Sequence, residues 1–153
     1  MILLTSVLTS FLATLGFAVM FNTPRRHLFT ASANGAMGWA LYTQITLLGG
    51  STIFATFVGA MTLGLAGELL ANYFRKPATV FIIPAIIPFV PGYGIFYTME
   101  SIMGQNYAEA VSKGSESFLI AVAIASGLIV SSTTGKFIRT YTNKRKASKT
   151  KCA

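Results

Sequence analysis

The chain has 153 residues, of which 53% are hydrophobic and only 10% are charged, and its mean hydropathy is +0.62. Because a water-soluble domain carries about 25% charged residues, this composition excludes an ordinary soluble domain and predicts a single-domain, all-α membrane protein. The formal net charge is +8, so the positions of the basic residues must decide between a nucleic-acid arm and a membrane topology.

Residues that could support catalysis or metal binding are scarce. Cys152 is the only cysteine and His27 the only histidine, and the sequence has no aspartate. This excludes an internal disulfide and a cysteine metal cluster. Hydrolase, kinase, phosphate-loop and zinc motifs are also missing from the sequence. We therefore expect no enzyme activity, no cofactor and no metal site.

The first three predicted spans are residues 1–21, 30–48 and 51–74. Residues 1–21 carry no charge and are long enough to cross about 30 Å of hydrocarbon. They lack a basic start and a clear cleavage site, which favours a retained helix over a signal peptide. Residues 30–48 are weakly hydrophobic but rich in alanine and glycine, which permits close helix contact. We predict that this second span is buried in the bundle.

The fourth predicted span, residues 76–99, is apolar but cannot form one unbroken helix. It contains Pro84, Pro88 and Pro91, and each proline removes a backbone N–H and crowds the carbonyl four residues earlier. Unsatisfied backbone groups are costly in hydrocarbon, so irregular backbone at membrane depth belongs inside a bundle or beside a water-filled cavity. We predict that the proline cluster breaks this span.

Residues 100–116 are predicted to form the only long polar loop, and residues 117–138 to form the fifth span. The transmembrane domain would then cover residues 1–143, followed by a basic tail at 144–153. Five spans place eleven of the 12 basic residues on one side of the membrane, with only Lys113 opposite. The positive-inside rule then predicts an outside N-terminus and a cytoplasmic tail in a multi-pass inner-membrane protein. Just inside a membrane, the tail is expected to contact anionic lipid rather than nucleic acid.

The broken span is the first candidate binding site. A second half-helix starting at Tyr93 would present free N–H groups and the positive end of its dipole. Directed into a cavity, these groups would bind a substrate carboxylate without a fixed cation. The alternative is a proline-kinked helix that only shapes the bundle. The functional hypothesis assigns substrate binding to Pro84, Pro88, Pro91, Gly92 and Tyr93.

Polar residues within the predicted spans are the remaining candidates. Glu68 is the only acid inside a span, which makes it a candidate for proton coupling or for pairing with substrate. The alternative is a structural role, either a hydrogen bond or an extended side chain that reaches the inner interface beside Arg75. Spacing of four residues places Glu68 on one small, polar helix face with Thr56, Ala60 and Gly64. Four polar side chains could bind an amino-acid zwitterion or, alternatively, form hydrogen bonds between helices: Asn34, Gln44, Tyr93 and Tyr97.

Two runs of the sequence together carry a family resemblance: Phe-Asn-Thr-Pro-Arg-Arg at residues 21–26, and the segment from Lys76 through the prolines to Gly92. They resemble the small-subunit half of the threonine/serine exporter family, the YjjB-like proteins, over essentially the whole chain. The resemblance implies ion-driven export of small amino or carboxylic acids, of the threonine/serine or succinate class. At this length it also implies a separate, larger membrane subunit as partner.

Together these observations predict a subunit of an inner-membrane secondary exporter. The competing hypothesis is a non-transporting membrane scaffold or holin-like pore protein, which would tolerate replacement of the prolines. A third hypothesis is a small drug exporter that works as a homo-oligomer. Purification with natural neighbours would separate these, since only the split exporter requires a stoichiometric larger membrane subunit.

Overall fold

The computed structural model describes the backbone of residues 2–150 and the side chains of residues 3–135 and of Phe137. The elements in chain order are α1 (Ile2–Met20), a 3-10 turn (Arg25–His27), α2 (Leu28–Leu47), α3 (Thr52–Phe74), α4 (Thr79–Ile86), a second 3-10 turn (Ile87–Phe89), α5 (Gly92–Met103) and α6 (Tyr107–Thr150). The part of the chain described contains no strand, in agreement with the predicted all-α class. The basic side chains of the predicted tail, 144–153, lie outside the described residues.

Within the part of the chain that the structure describes, three helices are long and apolar enough to cross a membrane: α1, α3 and the Tyr107–Gly135 part of α6. The bent pair formed by Thr79–Phe89 and Gly92–Met103 would be a fourth, broken span. Although α2 has 20 residues, it is not among them, because its small and polar residues lower its hydropathy. The protein is therefore a multi-pass helical membrane protein with three or four candidate spans, and the predicted five are not confirmed.

The small residues of α2 allow it to pack closely against α1, α3 and α4. Gly35 faces Thr14 of α1, where an added Cβ would overlap the threonine side chain. A Cβ on Gly38 would lie 3.2 Å from the carbonyl oxygen of Gly59 in α3. The buried positions of α2 are correspondingly small or polar, as its composition predicts: Ala31, Ser32, Asn34, Gly35, Ala36, Gly38 and Thr43.

Helices α3 and α6 form the most extensive helix pair, and glycines again set the distance between them. A Cβ on Gly127 would lie only 2.8 Å from the carbonyl oxygen of Phe57, which cannot move without distorting α3. Gly64 faces the side chain of Ser131. The two backbones therefore approach closely along faces lined by small residues, which is the packing mode of small residues in membrane helices.

Helices α4 and α5 meet at a bend of 42°. The α-helix continues two residues past Pro84, so the interruption lies later than that proline, around Val90 and Pro91. Pro91 has no N–H to donate to the Ile87 carbonyl. This carbonyl instead accepts a hydrogen bond from the Val90 N–H at 3.0 Å. The irregular segment thus satisfies part of its own backbone through a 3-10 turn.

Residues 100–116 do not form the predicted polar loop. Only residues 104–106 separate α5 from α6, and the two helices form a tight hairpin. Gly94 faces Ser117, and a Cβ on Gly114 would lie 3.3 Å from Cγ2 of Thr98. The prediction was wrong because the charged residues of this stretch occupy outward or partly buried positions of a helix rather than a solvated loop.

Candidate functional site

A cavity of about 370 Å³ lies at the junction between α4 and α5. This volume falls at the lower end of the range of about 300–1,000 Å³ that is usual for ligand pockets. The cavity is close to the end of α2 and the start of α3, so it lies toward one end of the bundle. Its lining comes from α2, α3, the junction and α6: Trp39, Tyr42, Thr52, Thr56, the continuous run of residues 88–94, Lys113, Glu116, Ser117 and Ile120.

Aromatic rings form one wall of the cavity. The ring of Trp39 lies 4.8 Å from that of Tyr42 and 5.2 Å from that of Phe89, measured between centroids. The Tyr42 and Phe89 rings are 5.9 Å apart, edge to face. Phe89 is 5% exposed and packs in a core cluster with Leu63 and Ala85. Edge-to-face packing of this kind makes the wall rigid, with the Phe89 ring fixed from both sides.

The N-terminus of α5 also lines the cavity. Its first intrahelical bond runs from the Ile95 N–H to the Pro91 carbonyl at 3.1 Å, and the Gly92 N–H bonds to the Val90 carbonyl at 2.7 Å. No side chain caps this end of the helix. The amides of Tyr93 and Gly94 therefore precede the helical ladder at the positive end of the α5 dipole, and both residues line the cavity.

Helix α6 supplies the charged residues of the lining, Lys113 and Glu116. Lys113 is partly buried and Glu116 is exposed. Ser117 follows directly, is 6% exposed, and donates its hydroxyl to the Lys113 carbonyl at 2.8 Å. Close contact between Ser117 and Gly94 fixes this turn of α6 against the start of α5. One cation and one carboxylate thus border the same small cavity as the uncapped helix end.

The structure brings together part of the predicted site. Pro88, Pro91, Gly92 and Tyr93 line the cavity, whereas Pro84 is buried in α4 outside its lining. Tyr97 also lies outside the lining, but its ring packs against that of Tyr93 at an interplanar angle of 45°, with centroids 4.3 Å apart. Tyr93 itself is 72% exposed. Substrate binding by these residues remains a prediction.

Asn34 holds the bent helix to its neighbours instead of lining the cavity. It is 3% exposed, and its Nδ2 donates to the Leu63 carbonyl of α3 at 3.0 Å and to the Phe81 carbonyl of α4 at 3.1 Å. Phe81 lies in the turn just before Pro84, where the missing proline N–H weakens the helical ladder. Of the two interpretations of Asn34, this geometry supports the helix-joining one.

The other two polar candidates also lie away from the cavity. Gln44 is exposed near the end of α2. Glu68 is partly buried, and its side chain lies against Gly135 of α6, where a Cβ would come within 2.7 Å of the Glu68 Cγ. Thr56, Ala60 and Gly64 of the same face are all buried. The predicted face does point into the bundle, and the coupling role of Glu68 stays a prediction.

Four residues line the cavity although they are not among the predicted binding residues: Trp39, Tyr42, Lys113 and Glu116. Lys113 and Glu116 fall in the predicted loop at 100–116. A usable signal was present: Lys113 and Glu116 are three residues apart, the spacing that places two side chains on one helix face.

These features define a class: a multi-pass helical membrane protein with a small cavity at a discontinuous helix, the arrangement found in secondary transporters. The sequence model of the family described as "Threonine/Serine exporter, ThrE" matches residues 6–134. The chain belongs to this family, which confirms the resemblance carried by the Asn-x-Pro turn and the proline run.

One curated relative is an uncharacterized protein of Haemophilus influenzae, which is 28% identical over 131 residues. The match covers 84% of this chain but only 44% of the relative, so the chain spans less than half the length of that protein. No solved structure matches the chain.

Proposed function

We propose that the chain is a subunit of an inner-membrane secondary exporter for small amino or carboxylic acids, and that it binds substrate in the cavity at the α4–α5 junction. The observation that carries this proposal is the cavity, because its volume suits a small ligand and its wall includes an uncapped helix N-terminus. Membership of a family described as threonine/serine exporters gives the transport role. The substrate carboxylate would bind at the amides of Tyr93 and Gly94.

The proposed exporter includes a larger membrane subunit of the same family, which the family resemblance implies. The match covers 44% of the Haemophilus influenzae relative, and we propose that the larger subunit provides the part of the transport path that lies beyond the matched region. Association of several copies of this chain is the alternative. The apolar side chains exposed on α1, such as Leu4 and Leu12, suit contact with membrane lipid.

Glu68 is the proposed coupling residue. It lies in α3 against the backbone of α6, where binding a proton would change the charge at the most extensive helix contact of the bundle. Such a group can bias one helix arrangement over another, which is what coupling to a proton gradient requires.

The test is the efflux of labelled threonine, serine and succinate from cells with and without the chain, expressed together with its larger partner. We expect faster efflux of at least one of these acids when the chain is present, with a pH dependence that the Glu68→Gln variant lacks. Equal efflux with and without the chain would contradict the exporter function and favour a scaffold. Unchanged pH dependence in Glu68→Gln would remove Glu68 from the mechanism but leave the exporter function intact.

A further inference from the structure

We propose that Lys113 and Glu116 select substrates by charge, and that the cavity is thereby specific for an amino-acid zwitterion over a dicarboxylate. The inference rests on the proposed function, in which small acids occupy this cavity. It assigns a role to two residues of α6 that lie outside the bent helix pair.

The positions of the two residues make the role geometrically feasible. They are three residues apart on α6, so their Cβ atoms are about 5–6 Å apart on one helix face. Both line the same cavity as Tyr93 and Gly94 at the α5 N-terminus, and Ser117, the residue after Glu116, contacts Gly94. Because the hairpin packs tightly at Gly94 and Ser117, this face of α6 is held at a fixed position relative to the amides of Tyr93 and Gly94.

Among the described lining residues of the cavity, Lys113 and Glu116 are the only charged ones. The rest of the lining is aromatic, aliphatic, proline, glycine or hydroxyl-bearing. As the only charged residues of that lining they would set the charge preference of the site, and the partly buried Lys113 is screened less by solvent than the exposed Glu116.

A zwitterion matches this arrangement at both ends. Its carboxylate would be attracted to Lys113 and the α5 amides, and its ammonium group to Glu116. The hydroxyl or short aliphatic part of the ligand would then face the wall that contains Thr56 and Phe89. A dicarboxylate would instead bring a second negative charge toward Glu116, and like charges at close range disfavour binding.

The competing explanation is an ordinary ion pair between neighbours on a helix surface. Exposed pairs between neighbours on a helix contribute little to stability. An ion pair of that kind would make no difference to which acid is exported. The two explanations therefore differ in substrate preference, which can be measured.

The experiment compares efflux of labelled serine and labelled succinate in cells that carry the complete exporter. We expect Glu116→Gln to lower the ratio of serine efflux to succinate efflux by about ten-fold. The substitution removes the negative charge that attracts the serine ammonium group and repels the second carboxylate of succinate. We expect Lys113→Gln to lower the efflux of both acids. Glu109→Gln is the matched control, because Glu109 is an exposed acid of α6 that contacts Asn106 at 2.9 Å and lies outside the cavity.

The outcomes separate this inference from the proposed function. If wild-type cells export these acids but Glu116→Gln leaves the ratio unchanged, the charge-selective role is wrong and the exporter function stands. The same conclusion follows if Glu109→Gln changes the ratio as much as Glu116→Gln does. If wild-type cells export none of threonine, serine and succinate, both the inference and the proposed function are contradicted.

Discussion

Replacement of Asn34 by aspartate is expected to destabilise the folded protein by about 3–5 kcal/mol, the usual cost of an uncompensated buried charge. The change keeps the shape of the side chain but turns its donor Nδ2 into an acceptor. Two carbonyl oxygens, those of Leu63 and Phe81, would then face a carboxylate instead of an N–H. The effect is measured as a shift in the midpoint of unfolding by denaturing detergent. Unfolding is monitored as the loss of a monodisperse peak on size exclusion.

Gln44→Glu provides the matched control, since it makes the same amide-to-carboxylate change on the same helix at an exposed position. We expect this control to shift the unfolding midpoint little. Equal stability of the two variants would show that the Asn34 bridge between α2, α3 and α4 does not hold the bent helix in place.

Simultaneous replacement of Pro88 and Pro91 by alanine is expected to abolish transport while the protein remains in the membrane. Alanine restores the two missing N–H groups, so α4 can continue into α5 without the bend of 42°. Straightening the pair would rotate Tyr93 and Gly94 away from the cavity and bond their amides within the helix. Labelled efflux and membrane abundance, measured on the same cells, separate loss of transport from loss of protein.

Pro77→Ala serves as the control for the double variant, because Pro77 precedes α4 and lies outside the cavity lining. We expect wild-type efflux from it. Full efflux from the Pro88→Ala, Pro91→Ala variant would support a scaffold or pore protein, for which a straighter helix packs equally well.

The helical bundle could be predicted because its signals are local. Long uncharged runs mark α1 and α3, and the small residues of α2 indicate burial, which Gly35 and Gly38 show at the helix contacts. The count of spans was less predictable, since one face of α2 packs against protein and the small and polar residues there lower the hydropathy of the whole helix.

Only the part of the candidate site that lies on one continuous segment could be predicted from the sequence. The run from Pro88 to Tyr93 lines the cavity and is contiguous in sequence. Lys113 and Glu116 come from another helix, and their approach depends on the α5–α6 hairpin, which the prediction of a loop at 100–116 excluded. Asn34 was ambiguous because an amide in a span suits either a ligand or a backbone carbonyl, and only the fold places Phe81 within its reach.

The central claim, that a small acid binds at the α4–α5 junction, is tested most directly by substrate protection of an introduced cysteine. With Cys152→Ser as background, Tyr93→Cys places a thiol at the cavity and Met103→Cys places one at the far end of the same helix, where Met103 is 84% exposed. We predict that threonine or serine slows maleimide labelling at position 93 and leaves position 103 unaffected. Labelling at position 93 that stays unchanged under saturating threonine, serine and succinate would contradict the claim.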